Sequence, residues 1–259
     1  MLTLWEHPLS PYAQKVKIAL YEKGIPFMAK TPNLFGGTES EFLESSPRRE
    51  VPTLIDGDVK IFDSTVILEY IEDRWPDPPL LPASPADRAR VRMLEDQCDT
   101  YVEAINWGLA EIRVFGRATG ELAERITARA GEQLAGVHRW LERELGVRSW
   151  FNGESFGWGD LVVWPYAAAA AATGFAAPPG SRLTAWLERA SARESTRKCA
   201  EAVAPVLAMF QNLGAVVESG AFVREYRDHR LEWMMRSGGS QVVLDGLAKK
   251  NIRFQIEVE

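Results

Sequence analysis

The run His7-Pro8-Leu9-Ser10-Pro11-Tyr12-Ala13-Gln14-Lys15-Val16 decides how the rest of the chain is read. It leaves a short apolar strand, Leu2 to Trp5, and turns at Pro8. It then enters a helix with Ser10 at the N-cap and Pro11 at the first helical position. The helix is predicted over Pro11–Lys23, with Val16, Ala19 and Leu20 on its apolar face, Gly24 as its stop and Pro26 just beyond. Ser10 has two readings. A serine at this position caps an orphan N–H. The same hydroxyl, beside the positive end of a helix, can donate to a bound anion or thiolate.

Outward from that turn, Val51 to Ile55 and Val59 to Phe62 are short apolar runs joined by Asp56-Gly57-Asp58, a hairpin pattern. A helix follows from about Thr65 to Trp75, with Val66, Ile67, Tyr70 and Ile71 on one side. One crossover and one hairpin in eighty residues predict a small mixed sheet flanked by helices. Two further stretches invite a ligand. Val51-Pro52 opens a strand where proline offers no N–H, leaving neighbouring backbone groups free to pair with an extended ligand. Asp63-Ser64-Thr65 opens a helix, where caps and anion sites use the same residue types.

Prolines at 76, 78, 79, 82 and 85 then break the pattern and mark a linker. Ser84-Pro85-Ala86-Asp87 is a helix start. Apolar residues at Val91, Leu94, Cys98, Tyr101, Ile105, Leu109 and Ile112 predict one long helix ending near Gly116. A second helix carries Leu122, Ile126, Ala130, Leu134, Val137, Leu141 and Leu145, with Gly146 as its stop. More helix is predicted over 160–173, 183–192 and 199–210. The tail differs. Phe222 to Arg236 reads as helix, Gly238-Gly239 breaks it, and Val242 to Leu247 makes another turn or two. Ile252 to Val258 then alternates apolar with polar residues, a half-buried strand pattern.

The 259 residues are 46% hydrophobic and 25% charged, enough for a full core without disulfide staples. The formal charge of −6 argues against a nucleic-acid partner. Cys98, Cys199, His7, His138 and His229 share no ligand spacing, so no metal is expected. The N-terminus reads as no signal peptide, and the longest apolar stretch, Leu161 to Ala177, is too short and alanine-rich to span a bilayer. A cytoplasmic protein without membrane or nucleic-acid partners is the expectation.

Ser10-Pro11-Tyr12-Ala13-Gln14-Lys15-Val16, Val51-Pro52-Thr53-Leu54, Asp63-Ser64-Thr65-Val66-Ile67-Leu68-Glu69-Tyr70 and Trp186-Leu187-Glu188-Arg189 stand in this order and spacing. Together they resemble the cytosolic glutathione S-transferase family in its serine-type form. The resemblance covers about residues 1–210. It implies an α/β thioredoxin-like N-terminal domain joined to an all-α C-terminal domain. It divides the chain into a glutathione-binding domain at 1–80, a linker at 81–88, a helical domain with the electrophile site at 89–218, and an extension at 219–259. Ser10 would then donate to the glutathione sulfur and hold it as thiolate. Val51 would pair with the cysteinyl backbone, with Pro52 as a cis-proline. Ser64 would hold the γ-glutamyl carboxylate and Asp63 its ammonium. The electrophile would lie over Leu9 and Tyr12, against Tyr101 and Ile105. Glutathione is the implied co-substrate, a small hydrophobic electrophile the second substrate, a homodimer the implied assembly, and cytoplasmic detoxification the implied setting.

Three features depart from that pattern. Glu50 stands where the family often has lysine or glutamine, and an acid there would not attract the glycyl carboxylate; Arg48 or Arg49 could compensate. Gly157 replaces a serine that normally opens the helix carrying Asp160, an exchange expected to cost only about a few tenths of a kcal/mol. The tail beyond about 218 is longer than the family needs, as a cover for the electrophile site, a dimer contact or a structural latch. Two rival functions stand beside the transferase. One is a non-catalytic relative using the fold as an interaction module. The other is a serine hydrolase, since Gly153-Glu154-Ser155-Phe156-Gly157 matches a nucleophile elbow with His229 downstream.

Overall fold

The computed structural model describes residues 1–33, 40–209, 213–220, 224–225 and 228–253. Strand β1 (Leu2–Trp5) leads through the Pro8 turn into α1 (Pro11–Glu22), followed by β2 (Phe27–Lys30), α2 (Ser40–Ser45), β3 (Thr53–Asp56), β4 (Val59–Phe62) and α3 (Ser64–Arg74). The sheet order is β2-β1-β3-β4. β1 runs parallel to β2, with Leu4 opposite Ala29, and antiparallel to β3, with Leu4 opposite Leu54. The mixed sheet predicted from one crossover and one hairpin is therefore present, as in a thioredoxin-like domain. Leu4, Val16, Ile18, Leu20, Leu54 and Ile67 are fully buried between sheet and helices.

The remaining long elements are helical: α4 (Pro85–Gln97), α5 (Glu103–Arg113), α6 (Gly120–Leu145), α7 (Trp158–Ala172), α8 (Arg182–Ser191), α9 (Glu194–Met209) and α10 (Leu213–Glu218). The single helix predicted over 85–116 is in fact two, joined by a π-helical turn at Cys98–Val102. That turn takes up one extra residue, so the apolar step expected at Tyr101 passes to Val102, which is buried while Tyr101 is 42% exposed. On α6 the predicted apolar face is the buried one, from Ile126 to Leu145.

Asp160 organises the start of α7. Its carboxylate accepts from the backbone N–H groups of Phe151, Asn152 and Gly157 and from Trp186 Nε1, at 2.8–3.2 Å. Gly157 is a tight fit, contrary to the small penalty expected from capping preference alone. A Cβ there would lie 2.2 Å from Asn152 Nδ2 and 2.4 Å from the Leu80 carbonyl oxygen.

Beyond α10 the described tail holds β5 (Arg224–Glu225), α11 (Asp228–Arg236), α12 (Ser240–Ala248) and β6 (Ile252–Arg253), with β5 parallel to β6. The strand expected over 252–258 lies mostly outside the described residues. α11 packs along α5, and Trp233 and Met234 join the same hydrophobic core as the rest of the chain.

α1 and its C-cap contribute three lysines, each with a buried ionic partner. Lys15 pairs with Glu95 and Asp99, Lys17 with Glu6, and Lys23 with Glu72. Two of these lysines, Lys15 and Lys23, tie this helix to elements distant in sequence.

Candidate functional site

A cavity of about 340 Å³ opens where the tip of the sheet meets α4. Three of the predicted segments converge on it: Tyr12 from the start of α1, Val51 and Pro52 ahead of β3, and Asp63, Ser64 and Thr65 at the start of α3. From the helical half come Arg92, Glu95, Asp96, Asp99 and Thr100.

Ser10 does cap α1. Its Oγ accepts from the Ala13 N–H at 3.3 Å, and its backbone is extended. Acceptance uses a lone pair and leaves the hydroxyl proton available, so capping and donation are compatible in one group. Ser10 and Leu9 are half-buried in the turn beside the cavity and are not part of its lining, whereas Tyr12 is. The Tyr12 hydroxyl donates to the Asp99 carbonyl oxygen at 2.8 Å, which holds its ring against the helical half, edge-on to Tyr166.

The Val51–Pro52 peptide is cis. The paired residues of β3 begin at Thr53, so Val51 stands just outside the ladder on the cavity side. Asp63 has φ of +74°, a left-handed conformation that non-glycine residues rarely adopt. Its Oδ1 accepts from the Thr65 and Val66 N–H groups at 3.0 and 3.3 Å. Asp63 thus caps α3 through Oδ1, while Oδ2 faces Arg48 Nη1 at 3.9 Å. Ser64, only 6% exposed, lines the cavity beside that helix end. Such an end presents N–H groups and a positive dipole to an anion.

Ile105 is fully buried in the core, and neither it nor Tyr101 lines the cavity. The π turn carries Tyr101 outward, whereas Ile105 stays on the predicted apolar face and packs in the core. Arg48 lies at the cavity with its guanidinium 5.3 Å over the Phe62 ring, while Arg49 points elsewhere, exposed and with φ of +55°. Ser155 lies in the loop between α6 and α7 with no strand leading into it, so the strand–turn–helix of a nucleophile elbow is missing. The His229 side chain lies outside the described residues.

Sequence reading missed the floor of the cavity. Lys15 is fully buried, with Nζ 2.6 Å from Glu95 Oε1 and 2.5 Å from Asp99 Oδ2. Glu95 also accepts from the Thr65 hydroxyl at 2.8 Å and from Trp158 Nε1 at 2.7 Å, and Asp99 accepts from the Tyr166 hydroxyl at 2.7 Å. Burial works against the Lys15 ammonium, but Asp99 and Glu95 hold its pKa above the ordinary lysine value. Burial likewise raises the Asp99 carboxyl, against the pull of Lys15. One available signal was the charge at position 15 beside the otherwise apolar Val16 and Ala19. The other was the i, i+4 spacing of Glu95 and Asp99 on a helix face that faces it. Among the described residues no group of three or more His, Cys, Asp or Glu could hold a metal, and no helix is long and apolar enough to cross a membrane.

A sheet of this topology joined to a helical half, with a ligand cavity at their junction, defines a two-part transferase fold. Residues 4–79 match the family model "Glutathione S-transferase, N-terminal domain". A glutathione S-transferase of Pseudomonas putida is 41% identical over 162 residues, 62% of this chain and 71% of that protein. A stringent starvation protein A homolog of Haemophilus ducreyi is 30% identical over 152 residues, 57% of this chain and 69% of that protein. Among solved structures, rice GST1 in complex with glutathione superposes with a TM-score of 0.64 at 29% identity, covering 81% of this chain and 96% of that one. The chain belongs to the glutathione S-transferase family.

Proposed function

We propose that this transferase binds glutathione in the cavity and activates its thiol at the start of α1 for attack on a small hydrophobic electrophile. The observation that carries the reading is convergence: Val51-Pro52, Asp63-Ser64 and Tyr12 surround one space although up to 52 positions separate them in sequence. In this reading Ser64 and the α3 N-terminus take the γ-glutamyl carboxylate, and Val51 pairs with the cysteinyl backbone. The γ-glutamyl ammonium is met by Asp63 Oδ2, the oxygen that the cap leaves aside, with Asp96 of α4 on the same cavity. Ser10 donates to the sulfur. Lowering a thiol pKa by about two units takes roughly 2.7 kcal/mol. One charge-assisted hydrogen bond of about 2 kcal/mol and a helix terminus of up to about 1 kcal/mol supply it.

The first eighty residues then serve glutathione, and residues 89–218 form the electrophile side beyond the 81–88 linker. Conjugation, epoxide opening, ether cleavage and dehalogenation all begin from the same thiolate. Exposed apolar side chains on adjoining elements, Val59, Val66 and Met93, support a homodimer, which light scattering tests directly. The protein is read as cytoplasmic.

The deciding experiment is retention on immobilised glutathione, combined with an ultraviolet thiolate difference signal when glutathione is added at neutral pH. Absence of both removes the reading. The likeness to a stringent starvation protein A homolog favours one second reading, a glutathione-transferase-like binding protein without turnover. Binding without conjugation of any aryl halide or epoxide would select it.

A further inference from the structure

A second cavity, of about 390 Å³, opens where the extension meets the helical half. The turn at 115–117 forms one wall, α10 another, and α12 with the following Asn251 a third. None of these residues belongs to the cavity at the tip of the sheet. Two buried polar groups take part in the lining. Arg117 has a side chain only 8% exposed, with Nε 3.7 Å from the fully buried Glu111. That separation is too long for a hydrogen bond, so the pair leaves the forked donors of the guanidinium uncommitted. Gly246 gives the guanidinium its place, since a Cβ there would come within 2.5 Å of Arg117 Nη2. Asn251 is 1% exposed. Its Nδ2 donates to the Val217 carbonyl at 3.1 Å, which fixes the amide, while its Oδ1 accepts no hydrogen bond among the described residues. A buried acceptor without a donor costs about 1–3 kcal/mol.

We propose that this second cavity is a binding site for a small carboxylate that also carries an N–H donor and an apolar body, in the manner of an N-acylated amino acid. Arg117 takes the carboxylate, whose planar geometry the guanidinium fork matches. Asn251 Oδ1 accepts from the ligand N–H, which supplies the donor that the fold does not. Phe115, Val217 and Val242 meet the apolar body. The exposed charges of the lining are engaged elsewhere, since Lys249 pairs with Glu218 at 2.7 Å and Asp245 accepts from Gln241. The buried pair Arg117 and Asn251 is therefore what selects the ligand. A volume of about 390 Å³ lies in the range of small-molecule sites. Arg117 belongs to the helical half and Asn251 to the extension, so a ligand held by both ties the tail to the body of the protein.

The test is calorimetric titration of the full-length protein with N-acetylphenylalanine, its methyl ester and hydrocinnamate, repeated on Arg117→Met and Ala215→Trp variants. The acid is expected to bind. The ester, which lacks the anion, and hydrocinnamate, which lacks the N–H, should each bind about tenfold more weakly. Arg117→Met should weaken the acid about tenfold and leave the ester unchanged. Ala215 is an exposed residue of the lining, so Ala215→Trp fills the cavity without breaking a buried pair and should abolish binding of all three. No binding of the acid up to about 10 mM, equal binding of acid and ester, or binding that survives Ala215→Trp overturns the proposal. Should Arg117→Met fail to fold because the buried Glu111 loses its arginine, the acid–ester difference and Ala215→Trp decide.

Discussion

Lys15 on α1 and Asp99 in the π turn meet at 2.5 Å, joining the sheet half of the molecule to its helical half directly beneath the cavity. With Glu95 they form a buried charge cluster in which the hydrogen-bond capacity is taken up by Thr65, Trp158 and Tyr166. Such a cluster gives little net stability when intact and costs a great deal when one member is removed. It therefore sets how the two halves sit around the cavity.

Lys15→Met leaves two carboxylates facing each other without a counter-charge. The expected loss is about 3–5 kcal/mol of unfolding free energy, read from the urea midpoint, with part of it recovered on adding Glu95→Gln. A variant as stable as the wild type would show that the two carboxylates tolerate burial without it.

Ser10→Ala removes both a cap and the proposed thiolate donor. Stability should fall by about 1 kcal/mol, the usual worth of a serine cap. Turnover of a generic aryl halide, measured as kcat/KM, should fall tenfold or more, about 1.4 kcal/mol in the barrier. Retained turnover would take Ser10 out of the chemistry and leave it as a cap.

Gly157→Ser separates capping preference from space. Serine is the better N-cap, yet its Cβ would press on Asn152 Nδ2 and the Leu80 carbonyl. We expect a loss of about 1–3 kcal/mol in chemical denaturation, as for other overpacked sites. A stabilised variant would mean that the loop at Asn152 gives way freely.

Burial lowers the pKa of His138 below the ordinary histidine value. The folded state thus binds this proton less readily than the unfolded chain, which titrates near 6.5. Its contribution is present above about pH 6.5 and is lost as pH falls through the lower folded value. His138→Gln should flatten the decline of the thermal midpoint between about pH 7 and pH 5; an identical profile would count against this account.

Local elements were legible because short-range rules specify them. Ser10 and Pro11 announce α1, Asp56-Gly57-Asp58 announces the β3–β4 hairpin, and the 3.6-residue recurrence of Ile126 to Leu145 announces α6. The π turn was not legible, since one extra residue inside a helix leaves the apolar spacing almost unchanged and only shifts its face. Tyr101 is exposed for that reason, while Ile105 and Leu109 keep the buried face that the spacing predicts.

The chain by itself determined the order of strands and helices and the segments that flank a ligand, since capping, turn chemistry and periodicity act over a few residues. Tertiary structure alone decided that Lys15 would meet Glu95 and Asp99 across 80 and 84 positions, and that Arg230 would return to Glu103 across 127. Pairings of that range depend on how helices pack and turn against one another, which no local pattern of residue types records.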